Sequence, residues 1–336
     1  MLSEPLSRRL VLTDRLRVRV ELERLGRPAA GTVRIAVRDC GVCGSDLLRY
    51  RTTTAAHRNW GHEAVGTVVA LGAGVSPDWR GASVALHTSV ACAACSHCRA
   101  GRQENCTRWE YREVGGFADL TDVPVTHVER LPAPLTDVDV LLEPLHVALD
   151  LVARAAVEPG ESVLLFGIGP IALLTLRCLR LRGLGPVRAV HRGHRRACAA
   201  LASAWGAEIC TARTAPPSRV AIVTAPYAAI PEAAQVVERG GRIVYNGLSE
   251  PSVTPLDLRT LQVGQKSLVP SFPHPQESFC AAYDILHGSP EEFGRIISHR
   301  FDLSEADRGF ALLERDVSDA VKVVLGDYGK RRLRRP

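Results

Sequence analysis

Ser162-Val-Leu-Leu-Phe166 is a nearly continuous apolar run. Gly167-Ile-Gly169-Pro170-Ile171-Ala172 follows it at once, and Leu173 to Leu181 then runs on with helical character. A short apolar run ended by glycine suits a strand buried on both faces, as in a parallel sheet covered by helices. Parallel strands need a crossover, usually a helix, so this stretch predicts a βαβ unit and an α/β domain built around it. Gly167 permits the tight turn out of the strand. Gly169 lets the backbone approach a pyrophosphate at the N-terminus of the helix that Pro170 and Ile171 open. Ala172 takes the third place of the pattern, where a small residue serves helix–strand packing. The glycines alone are a weak signal; strand before and helix after make them a dinucleotide site.

The next strand, Val187 to Val190, would end in an acid if the ribose 2′-hydroxyl of NAD were bound there. It runs instead into His191-Arg192-Gly193-His194-Arg195-Arg196. An acid would repel a 2′-phosphate and these cations attract it, so NADP is favoured over NAD, with Arg192 and Arg195 as candidate ligands. Counting back from Gly206-Ala207 puts Gly193 at the acid's position, with Arg195 two residues on. Counting forward from Gly167 puts His191 there. Arg219 to Thr224 reads as a strand, Ile230 to Glu238 as a helix, and Gly240 to Leu248 as turn, strand and loop. Ligands bind at strand carboxyl ends in such sheets, so Thr224, Ala225, Gly247 and Leu248 are expected on the nicotinamide side.

The chain before residue 151 has a different pattern. Arg17 to Leu22 and Gly31 to Val37 alternate apolar and polar residues, as half-buried strands do. Short strands with Gly and Pro between them suggest a small β-rich barrel or sandwich. They lead to Cys40-Gly-Val-Cys43-Gly-Ser45-Asp46 and, after a short loop, Gly61-His62-Glu63. One thiolate, one imidazole and one carboxylate form a ligand set for catalytic zinc, which leaves a position open for water or substrate. Cys40, three residues before Cys43, reads as a core residue on the other side of a strand. Ser45 is placed to carry away a substrate proton, and Asp46 to orient His62. Cys92-Ala-Ala-Cys95-Ser-His-Cys98 and Cys106 then supply four thiols, enough to close a structural zinc site with no open position.

Gly41-Val-Cys-Gly-Ser-Asp46 and Gly61-His-Glu-Ala-Val-Gly-Thr-Val68 resemble the signatures of the zinc-dependent medium-chain dehydrogenases/reductases, the alcohol dehydrogenase-like family. Val114-Gly-Gly-Phe-Ala-Asp119 resembles that family's Gly-Gly-Phe-Ala-Glu segment. Leu142-Glu143-Pro-Leu-His146 resembles the Glu-Pro-Leu run of its polyol, sorbitol, glucose and threonine dehydrogenases. The resemblance implies a Rossmann doubly wound parallel sheet domain plus a β-rich GroES-like catalytic domain, with the active site between them. It implies a first catalytic part at 1–150 with the zinc lobe at 92–106, a cofactor domain at 151–280, and a return to the catalytic domain with a basic tail at 281–336. It further implies that Cys43 and His62 hold zinc with Glu63 or Glu143, and that Ser45 begins a proton relay. Leu48 stands where many members carry a relay histidine, and His57 reads as a solvent-exposed loop residue. The run at Glu143 holds no further cysteine, which favours a secondary alcohol on a polyol, sugar or (amino)cyclitol, transferred as hydride to NAD(P). General likeness extends to 2-deoxy-scyllo-inosamine dehydrogenases of antibiotic biosynthesis. An L-threonine or simple-alcohol dehydrogenase is the alternative, and a non-catalytic zinc- and cofactor-binding protein is the alternative of another class. Tyr50, Trp60, His146 and Phe272 are candidate pocket residues.

Composition narrows the rest. The 336 residues suit two domains, and a hydrophobic fraction of 46% supports a large core. A net charge of +6 does not call for nucleic acid, and no dense basic helix accompanies the cysteine lobe. No apolar run reaches the ~18 residues of a membrane span, and Met1 to Arg9 has no secretory core. The expectation is a cytoplasmic enzyme of a small-molecule alcohol, and the resemblance implies a homodimer or homotetramer. Ten cysteines in that compartment point to metal rather than disulfides.

Overall fold

The computed structural model describes residues 4–247, 251–272, 278–315 and 317–327. These fall into two compact units, one made of residues 4–143, 278–315 and 322–327 and the other of 144–272 and 317–321. The chain therefore changes unit at 143/144, against an expected 150/151, and residues 317–321 add a short return to the second unit. None of the described helices is long and apolar enough to cross a membrane.

The first unit is the GroES-like domain. Its seven-stranded sheet runs Ile297–Asp302, Lys322–Gly326, Thr32–Gly41, Glu63–Leu71, Ser83–Leu86 and Val128–Arg130, with Leu120–Pro124 paired to Thr32–Gly41. Alternation along Thr32–Gly41 buries Val33 and Ile35 completely. An N-terminal hairpin, Leu6–Asp14 with Arg17–Arg24, adds Leu10 and Leu12 to the core. Four aromatics close it. Trp60 stacks on Phe310 at 5.1 Å and meets Phe117 edge-on at 5.1 Å, while Tyr50 lies 4.9 Å from Phe310. Tyr50 and Trp60 are thus core residues and not pocket residues. Each satisfies its polar tip on a backbone carbonyl, Tyr50 Oη on Leu16 and Trp60 Nε1 on Leu10, both at 2.9 Å.

The second unit is the Rossmann domain. Its six strands are all parallel, in the order Glu208–Cys210, Val187–Val190, Val163–Phe166, Ser218–Val223, Val237–Tyr245, Ser267–Pro270. Strand order reverses between Val163–Phe166 and Ser218–Val223, where such sheets open a ligand crevice. The helix Pro170–Leu181 buries Leu173, Leu174, Leu176 and Leu179. The segment after residue 250 adds a helix, Leu258–Gly264, and the sixth strand of the sheet. One expectation needs correction here. The helix expected to end at Glu238 ends at Val236, because Val237 already starts the next strand.

Candidate active site

Three neighbouring strands of the first sheet deliver the polar residues to one end. Gly41 pairs with Glu63, and Val324 pairs with Gly41, so Cys43, the His62-Glu63 pair and Lys322 lie side by side. The turn before the second strand needs Gly61. Its φ is +82°, and a Cβ there would stand 2.7 Å from the Phe117 ring. Cys43 precedes the helix Gly44–Thr52 and caps it, and Asp46 Oδ2 accepts from the Cys43 N–H at 2.9 Å. Cys40 is buried beside Gly61 and Gly116 and is not one of the three clustered donors.

One ligand atom each from Cys43, His62 and Glu63 lies within 4.8 Å of the others. Burial works against a charged His62, but the Cys43 thiolate hydrogen-bonded to it outweighs this, and its basicity stands well above the ordinary imidazole value. Asp46 Oδ1 is 3.9 Å from His62 Nδ1, too far for a hydrogen bond, so Asp46 acts on His62 by charge while its bond goes to the helix start. Glu143 opens the helix Leu142–Ala155. Burial pushes its carboxyl up to about 7, with the charge of His62 pulling the other way; Glu143 is not among the three clustered donors. Ser45 lies in the first turn of the Gly44–Thr52 helix, partly exposed.

Lys322 was not foreseen. Its ammonium pairs with the Glu63 carboxylate and donates to the Val42 carbonyl at 3.1 Å, with both side chains 2% exposed or less. Burial alone would lower its pKa; the anions around it, Glu63 first, leave it raised. The donors suit a divalent cation: a soft thiolate, an imidazole that a metal would hold neutral, and a carboxylate whose charge Lys322 offsets.

The cysteine lobe also fits a metal. The Sγ atoms of Cys92, Cys95, Cys98 and Cys106 all lie within 4.8 Å of one another, with Cys95 and Cys98 3.4 Å apart and Cys92 and Cys98 3.9 Å apart. A tetrahedral zinc–thiolate site with bonds of ~2.3 Å sets its sulfurs ~3.8 Å apart. Backbone N–H groups of Cys92, Cys95, Cys98 and Arg108 point at these sulfurs from 3.3 to 3.5 Å, as thiolates require.

In the second unit, Gly167 has φ +107° and a Cβ on it would meet Thr224 Oγ1 at 2.7 Å. Gly169 caps the helix that begins with Pro170 and Ile171, without a side-chain bond, and a Cβ on Gly169 would point into open space. That leaves a helix N-terminus open to an anion such as pyrophosphate. Gly247 has φ +114°, and Leu248 lies outside the described residues. Phe166 pairs in register with Val190, so His191 follows the strand end directly and holds the acid's position. A cavity of about 570 Å³ there is lined by His191, Arg192, Thr211, Arg213, Glu232 and Gln235 among others. Arg192 is paired with Glu232 at 2.7 Å. Arg195 does not line this cavity. Gly193, at φ +93°, turns the chain and carries Arg195 to the start of the next helix, against the Cys198 thiol. Arg213, unnoticed in the sequence, takes its place at the cavity.

His57 is not a free loop residue: it meets both Arg49 and Glu113.

Residues 29–133 match the model of the alcohol dehydrogenase GroES-like domain. The starvation-sensing protein RspB of Escherichia coli K12 is 27% identical over 317 residues, covering 89% of this chain and 93% of that protein. An L-arabinitol 4-dehydrogenase of Aureobasidium melanogenum is 25% identical over 333 residues, covering 89% of this chain and 88% of that one. Among solved structures, the short chain alcohol dehydrogenase rspB from E. coli CFT073, complexed with NADH, superposes with a TM-score of 0.84 at 24% identity, over 96% of this chain and 99% of that one. With the signatures around Cys43, His62 and Gly167 set in these two domains, residues 29–133 form an alcohol dehydrogenase GroES-like domain, and the chain as a whole is similar to the alcohol dehydrogenase-like medium-chain dehydrogenases/reductases.

Proposed function

We propose that this protein is a zinc-dependent oxidoreductase that moves a hydride between a secondary alcohol of a polyol, sugar or (amino)cyclitol and NADP. The convergence of Cys43, His62 and Glu63 within 4.8 Å of one another, one strand from a buried Lys322, carries the reading. Cys43, His62 and Glu63 hold the metal, and Glu143 approaches it. Zinc in that position polarises an alcohol oxygen and lowers its proton affinity. Lys322 offsets one of the two anionic ligands, which keeps the site able to draw electrons from the substrate oxygen. Ser45, in the first turn after Cys43, takes the hydroxyl proton. The four-cysteine lobe holds a second zinc that does no chemistry.

The sugar-alcohol relative supports the substrate class. NADP is supported by the chain's own charges. His191 stands where an acid would bind the 2′-hydroxyl, and Arg192 and Arg213 flank it with only Glu232 against them. Activity as a homodimer or homotetramer is part of the proposal.

The test is metal content per chain, measured with NADP and NAD reduction over a panel of polyols, aminocyclitols, threonine and short alcohols. Two zincs and turnover on a polyol or cyclitol are expected. Cys43→Ser is expected to leave one zinc, keep NADP binding and abolish turnover; retained turnover excludes the zinc mechanism.

A further inference from the structure

The cavity beside His191 is built by three elements. His191 and Arg192 follow the strand Val187–Val190, Thr211 and Arg213 follow the strand Glu208–Cys210, and Glu232, Gln235 and Val236 come from the helix Ala229–Val236. That helix follows the strand Ser218–Val223, two places along the sheet from Val187–Val190, and its residues at spacings of three and four share one face. Glu232 is the one acid of this lining among the described residues, set against His191, Arg192 and Arg213. Its Oε1 accepts from Arg192 Nη2 at 2.7 Å. The acid at Glu208 is engaged elsewhere, with Arg188 at 2.8 Å, and neither of those two lines the cavity.

Two ordinary reasons for an acid at position 232 fall short. Glu232 lies in the first turn of its helix, where the dipole favours negative charge, but a carboxylate turned to solvent serves that purpose equally well. The ion pair adds little to stability either, since the Glu232 and Arg192 side chains are 42% and 68% exposed. What the pair does change is the charge of the cavity. The carboxylate occupies a guanidinium nitrogen and offsets its charge, so Arg192 meets an arriving phosphate already engaged. A 2′-phosphate brings a charge of about −1.5 to −2 toward that carboxylate, whereas a ribose hydroxyl brings none.

We propose that Glu232 sets the cofactor preference of this protein by competing with the 2′-phosphate of NADP for Arg192. The inference rests on the proposed function. With the cavity empty, Arg192 stays on Glu232. NADP binds when its phosphate displaces the carboxylate from the guanidinium. One charge-assisted hydrogen bond is exchanged for another, and Glu232 turns to solvent. NAD has no group that requires this exchange and binds with the pair intact. Glu232 therefore weakens NADP alone. The three bases place NADP ahead of NAD, and the one acid narrows the margin.

The test is direct binding of NADPH and of NADH to the zinc-loaded full chain, without substrate, read from cofactor fluorescence at fixed pH and salt. Glu232→Gln changes a half-exposed position, so the fold is kept. It is expected to tighten NADPH about two- to fivefold, the strength of an exposed ion pair, and to leave NADH within about 1.5-fold. On top of Arg192→Gln, which itself weakens NADPH, the same substitution should gain less than about 1.5-fold, because the cation under competition is gone. Raising salt from about 0.05 to about 0.5 M should shrink the gain by screening. Glu208→Gln, which frees Arg188 outside the cavity, should move neither cofactor. A Glu232→Gln protein with the wild-type ratio of the two affinities, or the full gain retained without Arg192, overturns the proposal and leaves the functional reading standing. A wild type that binds neither cofactor removes both.

Discussion

Replacing Lys322 by Met tests how the catalytic end of the sheet is held. The Lys322 ammonium and the Glu63 carboxylate are the most buried ion pair of the site, 2% and 1% exposed. Methionine matches the lysine stem in bulk, so the variant isolates the charge. It leaves Glu63 buried without its cation, a loss of about 3–5 kcal/mol. The first unit spans some 200 residues. At about 2–4 °C per kcal/mol for that size, a 4 kcal/mol loss lowers Tm by about 8–16 °C. Scanning calorimetry on metal-free protein should show the full drop. Zinc-loaded protein should lose less, since a cation beside Glu63 replaces the missing one. Adding Glu63→Gln to Lys322→Met should recover most of the loss in the metal-free state, because no buried charge is then left over. The raised Lys322 pKa sets the pH range: its contribution is complete below the unfolded lysine value of about 10.4 and fades only above it, so the drop should be constant between about pH 6 and pH 9. A metal-free drop under about 3 °C, or a double variant less stable than the single one, refutes the charge argument.

Acid should weaken the first unit through His87, which is 2% exposed, stacks near His127 at 6.0 Å and donates to the Ser89 carbonyl at 3.2 Å. Burial lowers its pKa from 6.5 to about 4, so its contribution is present above pH 6.5 and is lost as pH falls toward 4. That is about 3 kcal/mol, and His87→Gln should flatten the Tm-against-pH curve over this interval; an unchanged slope rules His87 out. The cysteine lobe has a buried core of only Ala91, Cys98 and Cys106, with Cys92 and Cys95 against it. Chelation or Cys95→Ser should release one zinc and expose residues 92–106 to protease while the sheets keep their protection, and an intact lobe after zinc loss contradicts this. Arg213→Ala should weaken NADP about tenfold and NAD by less than about twofold in direct binding, and equal losses would exclude a 2′-phosphate at that cavity.

Much of this protein is readable locally because its key patterns are contiguous. The apolar run, glycines and helix of residues 162–181 need only their neighbours in sequence to form, and the six-stranded parallel sheet follows from that unit. The candidate metal donors were legible for the same reason: Cys43, His62 with Glu63, and four cysteines at close spacing sit in short segments, and the fold brings each group together. What needed tertiary structure was everything that depends on register between distant strands. Lys322 stands in Ala320-Val-Lys-Val-Val-Leu325 like any exposed lysine of an edge strand. Only the pairing of Val324 with Gly41 buries it against Glu63. Tyr50 and Trp60 could line a pocket or fill a core on sequence grounds, and the packing of Phe310 and Phe117 decided for the core. The pairing of Phe166 with Val190 fixed which residue follows the second strand, and so exchanged Arg195 for Arg213 at the cavity. His57 acquired its partners only when a bridge to Leu12 set it beside Arg49 and Glu113, residues 8 and 56 positions away in the chain. Backbone propensity and donor chemistry act within a few residues and are written in the order of the chain. Burial and charge balance arise between residues that meet only once the sheets have closed.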